Sequence, residues 1–346
     1  MRTFTIPMHV LAVMLLVAAA SFAGEARQPA KPKTRKHISA WFGYQKGKTA
    51  TDEIAPLADI IDSLSICGDE PPAEFVAAVR AKGIETYRMV WCDKDSAFNT
   101  PEKRDATIKD HMRLCMEIGF DGIDLDYESV PPESKQLYSD FMQKLSEQLR
   151  PLGKKMTHAV FTFVGPPEQS KTFYNLDVIN ATCDRVKVMC YDMHAAPALY
   201  AGWWTFPRQP GFGPVSTQPW ARANMEYWQT LVPKEKLIMA LPAYGNDYDA
   251  APGGKGQQIY EPVPPIPDGT KFDRFWLSYE QVHVYRYVDK ANRPRIFFAS
   301  DTDSTKAHLK TIDELGVPGL SFWHFQAVPP ETWQAVREWL ASKEGG

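Results

Sequence analysis

The sequence predicts an α/β protein of the (β/α)8, or TIM barrel, class, with a small β-containing insertion between strands seven and eight. One observation is a recurring unit of amphipathic helix, glycine and apolar strand. The glycines are Gly83, Gly119, Gly153 and Gly316, and each stands where a helix needs a left-handed residue to end. The second observation is the alternation itself, because strands that alternate with helices are parallel and joined by crossover helices. Eight such strands can close a barrel.

Each helix of the recurring unit carries apolar residues at helical spacing. These sets are Phe75, Val76 and Val79; Ile108, Met112, Cys115 and Met116; Leu137, Phe141, Leu145 and Leu149; and Leu309, Ile312 and Leu315. The predicted strands are 37–44, 59–67, 84–91, 120–126, 156–163, 185–191, 236–244 and 317–323. A doubly wound open sheet is the alternative. No Gly-rich phosphate-binding loop follows the first strand, so the closed barrel is favoured.

The two ends and one long interval set the expected domain boundaries. Residues 1–23 combine a positive start, an apolar run and a small-residue cleavage site, which predicts a signal peptide and a secreted or periplasmic protein. Residues 24–36 are polar and rich in Pro, Lys and Arg, which is typical of a disordered leader. We expect residues 37–346 to form one barrel domain. The interval of about 246–298, rich in Pro, Gly, Tyr and Val, is the expected insertion.

Charge and cysteine content limit the possible partners. The net charge of −3 gives no reason to expect nucleic acid or an anionic membrane as a partner. The five cysteines show no metal-ligand spacing, and we expect neither a metal ion nor a cofactor. Cys67 and Cys92 fall at the ends of successive strands and could pair, whereas the other cysteines are expected to be free thiols. We expect the chain to act as a monomer.

The densest chemistry lies in one strand, Phe120-Asp121-Gly122-Ile123-Asp124-Leu125-Asp126-Tyr127-Glu128. Side chains alternate faces along a strand, so Asp124, Asp126 and Glu128 share one face and the apolar residues share the other. The apolar face should pack on helices. The three acids should therefore point into the barrel and rise towards its open end, where barrel enzymes keep their active sites.

Three carboxylates in one poorly solvated column cannot all stay ionised at low cost. Repulsion and burial should keep at least one of them protonated, which allows a glutamic acid to donate a proton near neutral pH. A solvated strand end or a calcium site is the alternative. Calcium loops place their oxygen ligands around a turn, which this segment does not do, so catalysis is favoured.

The segment Asp121–Glu128, DGIDLDYE, resembles the DGxDxDxE signature of glycoside hydrolase family 18, the chitinase-like enzymes. Three further segments carry the resemblance: residues 189–192 resemble the family's MxYD, residues 241–245 its strand-seven pattern, and Trp323 the tryptophan that ends strand eight. The resemblance implies an eight-stranded barrel. It also implies a glycosidase that hydrolyses β-1,4 links with retention and uses the substrate's own acetamido group, an exception to the two-carboxylate rule.

The resemblance also implies roles for individual residues. Glu128 would protonate the leaving oxygen, Asp126 would stabilise the acetamido group, Asp124 would hold Asp126 by sharing a proton, and Tyr191 would donate its hydroxyl to the acetamido oxygen. The implied substrate-binding residues are Asp192, Met189, Tyr244 and Trp323, the last of them as a floor under the sugar. Independently of the resemblance, Trp203 and Trp204 could form a sugar platform, although ordinary loop packing is equally compatible with them.

One departure from the family pattern concerns support for the lower aspartate. The family often carries SxGG at the end of strand three, where this chain has Tyr87-Arg88-Met89-Val90-Trp91. Arg88 or another group must then replace the missing serine. Lys187 lies at an inward-facing position of its strand and could support the site by pairing with Asp124. An ordinary structural salt bridge is an equally good interpretation of this lysine.

The expected substrate is a polysaccharide or oligosaccharide that contains N-acetylglucosamine, with chitin-type oligosaccharides favoured. Residues 129–133 and the Trp220 region resemble the spore-germination and cortex-lytic glucosaminidase branch, so a peptidoglycan N-acetylglucosaminidase is one alternative. A non-catalytic chitin-binding lectin on the same barrel is another. Such lectins typically lack the acid glutamate, which favours the enzyme here.

Overall fold

The computed structural model describes residues 35–92, 95–128, 130–162, 172–194, 211–261 and 263–344; the side chains of Cys92 and Glu344 are not part of this description. Within these residues eight parallel strands close a barrel in the order β1-β13-β7-β6-β5-β4-β3-β2. The barrel strands are β1 His37–Tyr44, β2 Ser63–Gly68, β3 Glu85–Cys92, β4 Gly122–Tyr127, β5 Lys155–Val160, β6 Arg185–Met189, β7 Leu237–Pro242 and β13 Gly319–Trp323. The predicted fold class is confirmed, and each of the eight predicted strands overlaps one barrel strand.

A second sheet lies between β7 and β13 in the chain. Its five antiparallel strands are ordered β10-β11-β12-β8-β9. They are β8 Gly245–Asp249, β9 Gly256–Ile259, β10 Asp273–Leu277, β11 Val282–Val288 and β12 Pro294–Phe298. The predicted β-containing insertion is thus a complete small sheet. It has its own apolar cluster, built around Tyr285, Tyr287 and Phe297.

The described helices pack around the barrel. They are α1 Ala73–Arg80, α2 Pro101–Arg113, α3 Lys135–Leu149, α4 Leu176–Thr182, α5 Gln218–Trp228, α6 Thr302–Glu314 and α7 Pro330–Glu344. The four glycines that were predicted to end helices all have positive φ, from 62° at Gly316 to 90° at Gly119. This conformation carries little cost for glycine, and it turns the chain from each helix into the next strand.

Two residues assigned to the apolar helix faces are in fact exposed. Leu137 on α3 and Met116, in the π-helical turn that follows α2, both point to solvent. On α3 the buried stripe instead runs through Tyr138, Phe141 and Leu145. The prediction was wrong at Leu137 because the neighbouring Tyr138, an amphipathic residue, takes the core position. Its ring is buried, and its hydroxyl forms a hydrogen bond inside the protein.

An aromatic layer supports the outward side of β4. Phe98, Tyr127, Tyr138 and Phe141 lie with ring centroids 5.4–6.1 Å apart, and all four rings are buried. The Tyr138 hydroxyl is 2.7 Å from Nε2 of His158 on β5. Because close-packed rings move little, this layer fixes the strand that carries the acidic residues.

The lower, amino-terminal end of the barrel is filled by ionic and polar contacts. The Glu85 carboxylate accepts a hydrogen bond from the Tyr87 hydroxyl at 2.8 Å and pairs with Lys155 and Arg185. At the same end, Nε2 of His37 lies 2.9 Å from the Ser63 hydroxyl. With this end occupied, the opposite end of the barrel is the open one. None of the helices among the described residues is long and apolar enough to span a membrane.

Candidate active site

Asp124 and Asp126 on β4, with Glu128 directly after the strand, form the predicted column at the carboxyl ends of the strands. Ile123 and Leu125 are fully buried on the outward face, so Asp124 and Asp126 occupy the inward face. Asp124 is 0% exposed and Asp126 is 5% exposed, whereas Glu128 is only half-buried. Exposure thus rises towards the mouth, and Glu128 is the acid that a substrate in the mouth would meet first.

Asp124 lies at the bottom of this column among three donors. The Trp41 indole N–H donates to Oδ2 at 2.9 Å, the Lys187 ammonium donates to the same oxygen at 2.8 Å, and the Thr157 hydroxyl donates to Oδ1. Lys187 also donates to the Ser65 hydroxyl at 2.6 Å. Four strands, β1, β2, β5 and β6, therefore contribute directly or through Lys187 to holding one carboxylate that solvent does not reach.

Asp126 is the electrostatically unusual member of the column. Burial and the nearby Asp124 charge raise its pKa to about 7, while a hydrogen bond with Glu128 and the charge of Lys187 oppose that rise. Its Oδ1 is buried, and no described residue donates a hydrogen bond to it. A buried carboxylate oxygen without a donor is costly and calls for a partner. The pair Asp126–Glu128 can therefore hold a proton near neutral pH and still offer an acceptor to a ligand.

Tyr191 and Asp192 follow β6 beside the column. Burial and the charges of Asp126 and Glu128 raise the pKa of the Tyr191 hydroxyl well above its usual range, so it stays a donor. The Asp192 carboxylate accepts from the Tyr244 hydroxyl at 2.6 Å and from the Gln258 amide at 2.8 Å through the same Oδ1. Asp192 has a φ of 60°, uncommon for a residue with a side chain, and such conformations concentrate at functional sites.

Trp323 ends β13 at the mouth and lies across the barrel from the acids. Its ring packs edge-on against Trp41 with centroids 5.7 Å apart, and its side chain is hydrogen-bonded to the Tyr260 hydroxyl. Tyr260, 48% exposed, comes from the insertion and also contacts the rings of Tyr244 and His324. Barrel and insertion together thus form an aromatic wall at this side of the mouth.

Two further parts of the predicted site differ in what the structure shows of them. Met189 on β6 is 5% exposed and lies within the core cluster, so it forms part of the interior beneath the mouth. The second is the tryptophan pair Trp203 and Trp204, which lies outside the described residues. The predicted signal peptide, residues 1–23, and most of the predicted leader, residues 24–34, also lie outside them.

The support for Asp124 differs from one sequence expectation and agrees with another. Arg88 does not reach Asp124; its guanidinium donates to the backbone carbonyls of Ile66, Gly68 and Asp69. It cannot do otherwise, because Met89 faces Asp124 in the register of β3 with β4, and Arg88 therefore faces outward. The predicted pairing of Lys187 with Asp124 is present.

Several contributors to the site carried no signal strong enough to single them out. Trp41 lies in the core cluster and donates its indole N–H to Asp124. Thr157 and Gln258 are ordinary residues within a strand and an insertion. Trp91, the residue before the last of β3, pairs with Asp126 in the register with β4 and is 55% exposed, so its inward parity could have marked it as a wall of the mouth.

Cys67 is a free thiol, so the pairing with Cys92 considered from the sequence is not formed. Its Sγ donates to the Phe42 carbonyl at 3.5 Å, and burial raises its pKa to about 11. A buried thiol of that kind is inert and takes no part in the chemistry of the site.

A closed α/β barrel with a carboxylate pair at its open end is the arrangement of an acid–base hydrolase. Residues 58–327 match the model of glycosyl hydrolases family 18. The chain therefore belongs to glycosyl hydrolases family 18, and it is a glycosidase.

Relatives and solved structures agree with this membership. A Bacillus subtilis protein described as the uncharacterized glycosylase YvbX is 25% identical over 298 residues, covering 79% of this chain and 80% of the relative. A cortical fragment-lytic enzyme of Bacillus anthracis is 22% identical and matches 70% of this chain, but this chain spans only 56% of that enzyme's length. The crystal structure of a Chromobacterium violaceum chitinase superposes with a TM-score of 0.71 at 18% identity, covering 88% of this chain and 99% of the chitinase.

Proposed function

We propose that the protein hydrolyses β-1,4 glycosidic bonds next to N-acetylglucosamine with retention of configuration, using the acetamido oxygen of the substrate as the nucleophile. The observation that carries this proposal is the buried Oδ1 of Asp126, which no described residue satisfies. An acetamido N–H is a donor of the right kind for that oxygen. Asp126 would thereby orient the acetamido group and stabilise the positive charge that develops on it.

The proposed reaction has two steps, formation of a cyclic intermediate and its hydrolysis. Glu128 transfers its proton to the glycosidic oxygen as the bond between that oxygen and the anomeric carbon breaks, and the acetamido oxygen bonds to the anomeric carbon. The product of this step is an oxazolinium ion. Water next attacks the anomeric carbon and gives a proton to the Glu128 carboxylate. The bond between the anomeric carbon and the acetamido oxygen breaks, which opens the oxazolinium ring. Each step inverts the anomeric carbon, so the two steps together retain its configuration.

The surrounding residues supply orientation. Tyr191, whose raised pKa keeps its hydroxyl protonated, would donate to the acetamido oxygen. Asp192 would complete that pocket, with Tyr244 and Gln258 fixing its carboxylate. Trp323 would form the floor under the reacting sugar, because an aromatic face suits the apolar face of a sugar ring. Met189 would close the pocket from beneath.

The favoured substrates are chitin-type oligosaccharides of N-acetylglucosamine. The aromatic wall at the mouth supports this choice, since Trp323 and Tyr260 offer ring surface to a bare sugar chain, and Trp91 offers more from the opposite wall. Peptidoglycan is the second candidate, because one relative is named for lysis of cortical fragments. A sugar-binding protein without activity is disfavoured by the presence of Glu128, Asp126 and Tyr191 together.

The deciding experiment compares matched oligomers of N-acetylglucosamine and of glucose, with peptidoglycan as a third substrate. We expect the acetamido oligomers to be cleaved, the glucose oligomers to resist, and the early product to show retention by proton NMR. Equal rates on the first two would refute substrate assistance. Faster release of muropeptides than of small oligomers would make peptidoglycan the substrate, and binding without cleavage would favour the lectin.

We also propose that the protein is exported and acts as a monomer. The support for export is the composition of residues 1–23, a positive start followed by an apolar run and small residues at the cleavage position. Mass spectrometry of the protein recovered from outside the cytoplasm should find a mature amino terminus after Ala23. Light scattering of the same sample reports the oligomeric state.

A further inference from the structure

The column of acids contains a cation, Lys187, that the two-step reaction above does not use. Lys187 lies on β6, is 2% exposed, and contacts a carboxylate that is 0% exposed. Lysine is almost never fully buried unless it is paired. Moving a charge from water into the protein interior costs several kcal/mol. The buried charge of Lys187 therefore calls for an explanation in terms of the site.

The contacts of Lys187 leave its ammonium group fully engaged. It donates to Asp124 Oδ2 at 2.8 Å and to the Ser65 hydroxyl at 2.6 Å, and it lies 4.6 Å from the ring centroid of Trp41. Burial lowers the pKa of this group, and the contact with Asp124 opposes that effect. The donors that converge on Asp124 suit an acceptor carboxylate, so the geometry describes an ion pair.

We propose that Lys187 is a positioning residue that neutralises Asp124, so that the mobile proton of the column is confined to Asp126 and Glu128. This inference rests on the proposed function and deepens it. Two donors contact Oδ2 of Asp124 and one contacts Oδ1, so Asp124 is held as an acceptor and is a poor partner for a proton from Asp126. Asp126 is instead hydrogen-bonded upward to Glu128, next to the glycosidic oxygen that must be protonated. In this proposal the proton is shared between Asp126 and Glu128, whereas the family resemblance implied sharing between Asp124 and Asp126.

Other charged and titratable groups face the same interior. They are Asp124 and Asp126 on β4, Arg185 on β6, Lys155 on β5, Glu85 and Tyr87 on β3, His37 on β1, and Tyr191 above β6. Glu85, Lys155, Arg185 and Tyr87 contact one another at the lower end of the barrel. Lys187, by contrast, contacts Asp124 within the acidic column.

The test is the pH dependence of kcat/KM, which reports the ionisation of the free enzyme. In Lys187→Met the interior becomes one charge more negative, so the column holds its last mobile proton to higher pH whichever carboxyl carries it. We expect the basic limb to move up by about one pH unit or more, because a neighbouring charge of this kind shifts a carboxyl pKa by about 1–3 units. Lys187→Arg should restore most of the wild-type profile.

Two further variants control for structural damage. Lys187→Met combined with Asp124→Asn removes both charges at once, which a buried pair tolerates better than the loss of one partner. The basic limb of this double variant should return towards that of the wild type. Lys155→Met removes a lysine from the neighbouring strand at the lower end of the barrel, and its limb should match the wild type.

A substrate-free readout separates this inference from the proposed function. Carboxyl carbon NMR of isotope-labelled protein follows the titration of the column directly, and its midpoint should rise in Lys187→Met. If the wild type cleaves no N-acetylglucosamine substrate, the proposed function fails while this titration still tests Lys187. An unchanged midpoint in Lys187→Met, or an equal shift in Lys155→Met, would overturn the inference.

Discussion

Asp126→Asn should stabilise the protein increasingly as the pH rises. The pKa of Asp126 is about 7 in the folded protein against a usual value of 3.8, because burial and the Asp124 charge disfavour its ionised form. Between about pH 4 and pH 7 the folded protein therefore binds a proton that the unfolded chain has released. Stability that is present below the unfolded pKa is lost as the pH rises through this window.

The magnitude follows from the size of the shift. A change of about 3 units corresponds to about 4 kcal/mol, at about 1.36 kcal/mol per unit. This is an upper limit, because Asp126 is hydrogen-bonded to Glu128 and interacting acids can share one titration. Asparagine cannot ionise, so the variant escapes the loss. Its free energy of unfolding relative to wild type should rise by about 2–4 kcal/mol between pH 4 and pH 8.

Urea denaturation followed by tryptophan fluorescence at pH 4, 5.5, 7 and 8 measures this difference. Asp52→Asn is a suitable control, because it removes an exposed carboxylate and reports any general effect of a lower negative charge. A stability difference between Asp126→Asn and wild type that stays constant with pH would refute the reasoning. So would a difference that is largest at pH 4.

Three other variants test the site by different means. Glu128→Gln should keep sugar binding but lower kcat by at least about 10²-fold, because general acid catalysis contributes about 10²–10⁴; near-normal turnover in steady-state assays would contradict the assignment of the acid. Trp323→Ala should raise KM with an unchanged thermal transition, since stacking contributes about 0.5–1.5 kcal/mol. Trp91→Ala is its matched comparison on the opposite wall, and loss of the thermal transition in either would mean a core role. Tyr244→Phe removes a hydrogen bond to Asp192, and a hydrogen bond to a charged group is worth about 1.5–3 kcal/mol. We therefore expect kcat/KM to fall by about tenfold. An unchanged kcat/KM would mean that the position of Asp192 does not matter for catalysis.

The features that could be predicted from the sequence are those set by local periodicity. Alternation along one strand gave the facing of Asp124, Asp126 and Glu128, and the structure places them on the inward face with rising exposure. Glycine at the end of each helix pattern gave the turns into the strands, because left-handed backbone strongly favours that residue. Both signals depend on a few adjacent residues, so one sequence is enough to read them.

Contacts made across the barrel depend on register, which local periodicity does not give. Arg88 was considered as support for Asp124 because it lies in the segment that departs from the family pattern. The pairing of Met89 with Asp124 turns Arg88 outward instead. The insertion shows the same limit, since its strands could be expected only as a β-containing interval. The positions of Gln258 and Tyr260 against the barrel mouth follow from folding that no local pattern encodes.

The support of Asp124 shows why a motif can be lost while its chemistry is kept. In this chain the carboxylate is held by Trp41, Thr157 and Lys187, which come from three strands that together span more than a hundred residues of sequence. Each of them is buried, so each must satisfy its polar group inside the barrel, and Asp124 is the acceptor they share. The missing serine at the end of β3 is therefore compensated by a set of donors that is recognisable only once the barrel is closed. A substitution in any one of them should act on Asp126 through Asp124, which makes these positions, and not only the acidic motif, determinants of the proton that Glu128 delivers.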